Sequence, residues 1–185
     1  MLKYYLAKIL STILILIVLF VTFAVFEEVN KFDPKLKRIA CQEKTTTFEK
    51  IEFEHPIWET NNLIETNNFN IKSNIEYSKY MTSHLIDILS IKQADEILNN
   101  VLKKYIKSTT QNDKKLLIDY YIYENDKEDK GKKSPKAKLY AGYLLFEFKL
   151  DNHLVYKIQT DYMDIDGKDI EERMDCAIKS FLSIK

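Results

Sequence analysis

Glycine and proline are nearly missing: the chain has three of each in 185 residues. Few tight turns can be built on positive backbone angles, so most of the backbone is expected in helices and strands. With glycine only at positions 131, 142 and 167, neither a phosphate-binding loop nor a dinucleotide fingerprint is possible. No G-x-S-x-G nucleophile elbow occurs either. Net charge is also absent, with 28 basic against 28 acidic residues. That removes the electrostatic footprint of a general nucleic-acid binder.

Histidine is scarce. His55, His84 and His153 fall in three separate segments, and no two have the i, i+4 spacing of a helical zinc site. The stretch 164–172, DIDGKDIEE, superficially imitates a calcium loop. Aligned on Gly167, however, it places Tyr162 and Arg173 where carboxylates are essential. It reads instead as a turn and helix cap. No cofactor, no metal and no catalytic residue are expected, and the chain is not read as an enzyme.

What the sequence does have is one long apolar run, Ile9–Phe26, without a charge. Eighteen helical residues span roughly 27 Å, close to a bilayer's hydrocarbon core. Tyr4, Tyr5 and Lys8 suit one interface, so residues 4–26 are expected to meet the membrane. The run continues to Phe26 without a polar break, which favours an uncleaved signal anchor. The alternative is a signal peptide cleaved after Ala24 and soluble export. Both readings place residues 27–185 outside the cytoplasm, in the periplasm, with a short cytoplasmic N-terminus in the first. Lipid attachment at Cys41 is excluded, because Arg38 stands where an aliphatic residue is needed.

Three parts follow: a transmembrane signal anchor (1–26), a juxtamembrane stalk (27–44) and an extracytoplasmic domain (45–185). The domain class is α+β, with a small antiparallel sheet of about four strands packed by an αα-hairpin and a C-terminal helix. The segment 45–54 reads as a strand. The duplicated hexapeptide ETNNLI-ETNNFN (59–70) reads as a lengthened loop. Ser73–Glu76 and Ser90–Gln93 fit capping boxes, predicting helices to about Leu89 and Lys107. The second carries a core stripe of Ala94, Ile97, Leu98, Val101, Leu102, Tyr105 and Ile106. The runs 116–124, 139–150 and 153–163 have strand character, the last two joined at Asp151-Asn152 as a hairpin. Between the first two, Lys130, Lys132, Lys133, Lys136 and Lys138 form a basic cluster in a solvated loop.

Two cysteines remain. In the C-terminal helix, Ile170, Met174, Ala177, Ile178 and Phe181 share a stripe, and Cys176 lies about 150° away from it. In an exported chain, Cys41 and Cys176 are the right number for one disulfide, with Cys176 facing outward to meet a partner from outside the core. The function expected is that of a membrane-anchored, extracytoplasmic module binding another protein, such as a subunit of an envelope or secretion assembly. An inhibitor or immunity-type factor and an envelope hydrolase without a recognisable motif are the alternatives. Oligomeric state is not readable.

Overall fold

The computed structural model describes residues 37–52, 57–131 and 139–184. The apolar run 9–26, most of the proposed stalk, His55 and the lysines at 132, 133, 136 and 138 lie outside the described residues. Among the described residues no helix is long and apolar enough to cross a membrane. From Arg38 onward the chain forms one compact unit.

That unit is α+β, with five strands and four helices. The strands are β1 (Thr47–Ile51), β2 (Phe69–Glu76), β3 (Leu116–Glu124), β4 (Gly142–Leu150) and β5 (His153–Tyr162). The helices are α1 (Ile57–Glu65), α2 (Leu85–Ile88), α3 (Ile91–Lys103) and α4 (Ile170–Leu182). A 3₁₀ turn, Ala40–Lys44, precedes β1. The sheet order is β1-β5-β4-β3-β2, antiparallel except for β2, which runs parallel to β3. The expected antiparallel sheet of about four strands is therefore corrected to a mixed sheet of five.

The extra strand comes from the segment read as the first capping box. Ser73–Glu76 lies inside β2, and the predicted helix shrinks to the single turn of α2. Phe69, Ile71 and Ile75 alternate along β2, and pairing with β3 puts them on the apolar side. Two-residue periodicity with a long-range partner outweighs a local cap. The predicted αα-hairpin is replaced accordingly. α3 opens on the expected Ser90 and Gln93 capping box but ends at Lys103.

The duplication is not a loop. Its first copy lies in α1, where Ile57, Thr60, Leu63 and Ile64 are buried at helical spacing. The second copy begins as the last residue of α1, turns at Asn67 (φ 61°) and enters β2. Equivalent residues thus end in two secondary structures, decided by whether flanking apolar residues repeat at 3.6 or at 2.

All four helices contribute to one core with a single face of the sheet. Phe148 stacks on Phe181 at 4.2 Å, and Tyr120 on Phe146 at 5.2 Å. At the hairpin, Asp151 (φ 50°) and Asn152 (φ 65°) take the two left-handed positions of its tight turn. At the other end, Gly142 admits no side chain. A Cβ there would stand 2.1 Å from the Tyr123 carbonyl oxygen and 2.4 Å from the Tyr162 hydroxyl.

Residues 38–44, assigned above to the stalk, pack against α4. Cys41 is bonded to Cys176 with Cα atoms 5.7 Å apart. Arg38 makes a bidentate pair with Glu49 (2.6 and 2.8 Å) and donates to Ser180 O and Ser183 Oγ, both at 2.7 Å. Gln42 is buried and donates to Glu49 and Ser180. Burial pushes the Glu49 carboxyl up, but hydrogen bonds from Arg38, Tyr156 and Gln42 outweigh it and hold it below the ordinary range. One expectation is corrected here: Cys176 does not face solvent. The turn Ala40–Lys44 covers that side of α4, leaving Cys176 only 1% exposed. Both sides of the helix are consequently buried.

Candidate functional site

The strands define two ends. At one lie the β4–β5 turn, the C-terminus of α4 and Arg38, where the chain enters the unit. At the other lie the ends of β2, β3 and β5 and the start of β4, joined by longer loops. This loop-bearing end is the candidate site.

Two carboxylates at the end of β3 build it. Glu124 is 3% exposed and accepts from Ser78 N (3.0 Å), Ser83 Oγ (2.6 Å), His84 N (2.8 Å) and Leu85 N (3.0 Å). Asp126 accepts from Lys79 N (2.7 Å), Tyr80 N (2.6 Å) and Met81 N (3.2 Å). Between them they satisfy six backbone N–H groups of residues 78–85, a segment with no secondary structure of its own before α2. Burial raises the Glu124 carboxyl, yet the four donors more than offset this and keep it below the ordinary value. Asp126 is lowered by the same competition, burial against backbone donors. Both groups are committed as ionised acceptors. The loop wrapped on them forms one wall of a cleft of about 220 Å³ with Glu76, Tyr123 and Asp129.

The segments at this end also carry most of the exposed large apolar side chains, of which Tyr80 lines the cleft. Nine large hydrophobic side chains are exposed among the described residues, and only Phe48 and Trp58 lie elsewhere. The loop 77–84 contributes Tyr80, α2 and the start of α3 contribute Ile86, Ile88 and Ile91, and the strand ends contribute Leu139, Met163 and Ile165. Ile88 and Ile170 close on Gly167, whose φ of +69° permits the bend between β5 and α4. Asp169 secures that bend by accepting from Met163 N (2.9 Å) and Asp164 N (3.2 Å). Asp164 and Asp169 thus serve as turn acceptors; Asp169 stands at the N-cap position of α4 but makes no side-chain cap bond there, so the expected cap is corrected.

Elsewhere, His84 takes part through its backbone N–H, and His153 is exposed at the start of β5. Of the basic cluster only Lys130 is described. Among the described residues no group of three or more His, Cys, Asp or Glu is placed to hold a metal ion. The tyrosine-rich strands divide: Tyr120, Tyr156 and Tyr162 are core, whereas on the opposite face Tyr143 stacks on Tyr123 and meets Tyr121 edge-on.

That opposite face also holds Asp161, nearly buried beside Tyr143, with its pKa pushed up to about 6 by desolvation. A raised carboxyl pKa favours folding below pH 4, and this contribution is lost as pH rises through 6. Asp161→Asn keeps the hydrogen-bonding shape without the charge. It is expected to raise stability at pH 7 by about 1–3 kcal/mol and to flatten the decline between pH 4 and 7, read by thermal unfolding across that range.

Sequence reasoning missed the Glu124 and Asp126 cradle. The only available signal was a pair of acids, two apart, closing an apolar strand.

No family model matches the chain, and no curated protein does. Among solved structures, the PelC dodecamer from Paraburkholderia phytofirmans is similar at a TM-score of 0.38 and 8% identity, covering 76% of this chain and 98% of that one. A point variant of the same dodecamer gives 0.37 and 9% over the same shares. At these values neither the fold nor a function carries over.

Proposed function

We propose that the protein is a membrane-anchored, extracytoplasmic module that docks another protein on the loop-bearing end of its sheet. The observation that carries this reading is the concentration of exposed large apolar side chains at that one end. Scattered exposed hydrophobes are ordinary for a soluble surface; a grouping around one rigid loop is not. Glu124 and Asp126 fix the backbone beneath the group, so little ordering entropy is added on binding. Two cysteines joined in a bridge suit an oxidising compartment.

The test uses the full-length chain in its own membrane, with a photo-crosslinking residue at Ile86, at Ile165 or at Trp58. One discrete protein adduct from positions 86 and 165, absent from 58, is the expected result. Equal labelling from all three positions, or none, removes the reading. Alkylation of the same membranes before and after reduction checks export independently, since the two thiols should react only after reduction.

A further inference from the structure

On the face of the sheet away from the helices, a row of alternating charges crosses four strands. Lys157 pairs with Glu147 (2.8 Å), Glu147 with Lys149 (2.7 Å), Lys149 with Asp119 (3.1 Å) and Asp119 with Lys72 (3.1 Å). The row ends on a cation at the edge strand β2, where the Lys72 side chain is 70% exposed.

The backbone of β2 is also unfinished. Leu116 N donates to Asn68 O, which fixes the phase of the parallel pair. Asn70, Lys72, Asn74 and Glu76 therefore turn their N–H and C=O groups toward β3. Those of Phe69, Ile71, Ser73 and Ile75 point out of the sheet. Among the described residues no hydrogen bond reaches these outer groups. Such an edge is a template for another strand, and β2 carries neither a proline nor a bulge to prevent it.

The sequence of the edge specifies which strand fits. We propose that β2 pairs antiparallel with β2 of a second copy of this chain, about a two-fold axis at Asn74. In that register Lys72 of each copy stands opposite Glu76 of the other, and the two Asn74 residues face each other. Lys72 then lies between Asp119 of its own chain and a carboxylate of the partner, so the row of alternating charges continues across the axis. Glu76 pairs loosely with Lys79 of its own chain (3.5 Å) and its side chain is 47% exposed, so it can be shared with a partner's Lys72. Shifting the register to centre on Lys72 would oppose two lysines, which disfavours it. The contact is isologous and closes on itself, giving a dimer and not a filament.

The experiment uses the full-length chain carrying Asn74→Cys, the native cysteines being joined to each other. Facing residues of a non-hydrogen-bonded antiparallel pair have Cα atoms about 4.5 Å apart, at the near edge of the disulfide range. Mild oxidation should yield a covalent dimer. Adding Lys72→Glu opposes like charges at two symmetric places and should slow its formation by about tenfold. Adding Glu76→Lys to that variant restores the opposite-charge pairs and the rate. Circular dichroism confirms that each variant is folded. Failure of Asn74→Cys to link two copies, or its linking to a different protein, overturns the proposal. So does a rate indifferent to Lys72→Glu, or one that the charge swap does not recover.

Discussion

Replacing both Cys41 and Cys176 by serine is expected to cost up to about 5 kcal/mol of unfolding free energy. The bridge spans 135 positions, so it closes almost the entire described unit into one ring. On the chain-entropy account, that constraint acts on the unfolded ensemble and grows slowly with loop length. The folded state of the variant should change little. Arg38 stays tied to Glu49 and Ser180, Gln42 to Ser180, and Lys44 to Glu172. The measurement is a denaturant titration of oxidised, reduced and serine-substituted protein. The expected result is a drop in midpoint with native circular dichroism before the transition. A shift below about 1 kcal/mol would mean that the unfolded chain gains no freedom when the bridge is removed.

Glu124→Gln is expected to cost about 2–4 kcal/mol despite preserving size. The carboxylate accepts at both oxygens, from His84 N and Leu85 N at one and from Ser78 N and Ser83 Oγ at the other. An amide places an NH₂ group where one of those oxygens stood, so two donors lose their acceptor in a buried position. The pH dependence separates this from simple loss of packing. Glu124 has a lowered pKa when folded, so its contribution is present above the ordinary carboxyl value and disappears as pH falls below it. Wild type should lose stability as pH falls below about 4.5, and the glutamine variant should lose correspondingly less. Amide hydrogen exchange in residues 78–85 should quicken in the variant at neutral pH. Unchanged protection there would show that Glu124 does not hold the loop.

These two features differ in how far they could be read in advance. The bridge was legible because an outward cysteine on an amphipathic helix needs a reason, and one other cysteine existed. The Glu124 cradle was not, since its donors lie some forty residues upstream and all but the Ser83 hydroxyl are backbone groups with no sequence signature. Local signals succeeded where local chemistry decides. Ser90 and Gln93 cap α3 as read, and Asp151-Asn152 turn the hairpin. Ser73 and Glu76 present the same capping pattern and yet sit in β2, because Ile71 and Ile75 gain a core neighbour by pairing with β3. The duplicated hexapeptide makes the same point within one sequence. Its asparagines accept either state, and the apolar residues on either side choose.

The bridge also determines how the molecule bears mechanical load. Tension applied along the N-terminal segment reaches the unit at Arg38 and passes at Cys41 into the middle of α4. Part of it also enters β1 through the Arg38–Glu49 pair, but β1, held to the sheet by five residue pairs, does not carry it alone. α4 is instead seated in the core, with Phe181 against Phe148 and Tyr156. Tension on the N-terminal side therefore loads a covalent bond seated on the contact between α4 and the sheet, in addition to the ion pair to β1.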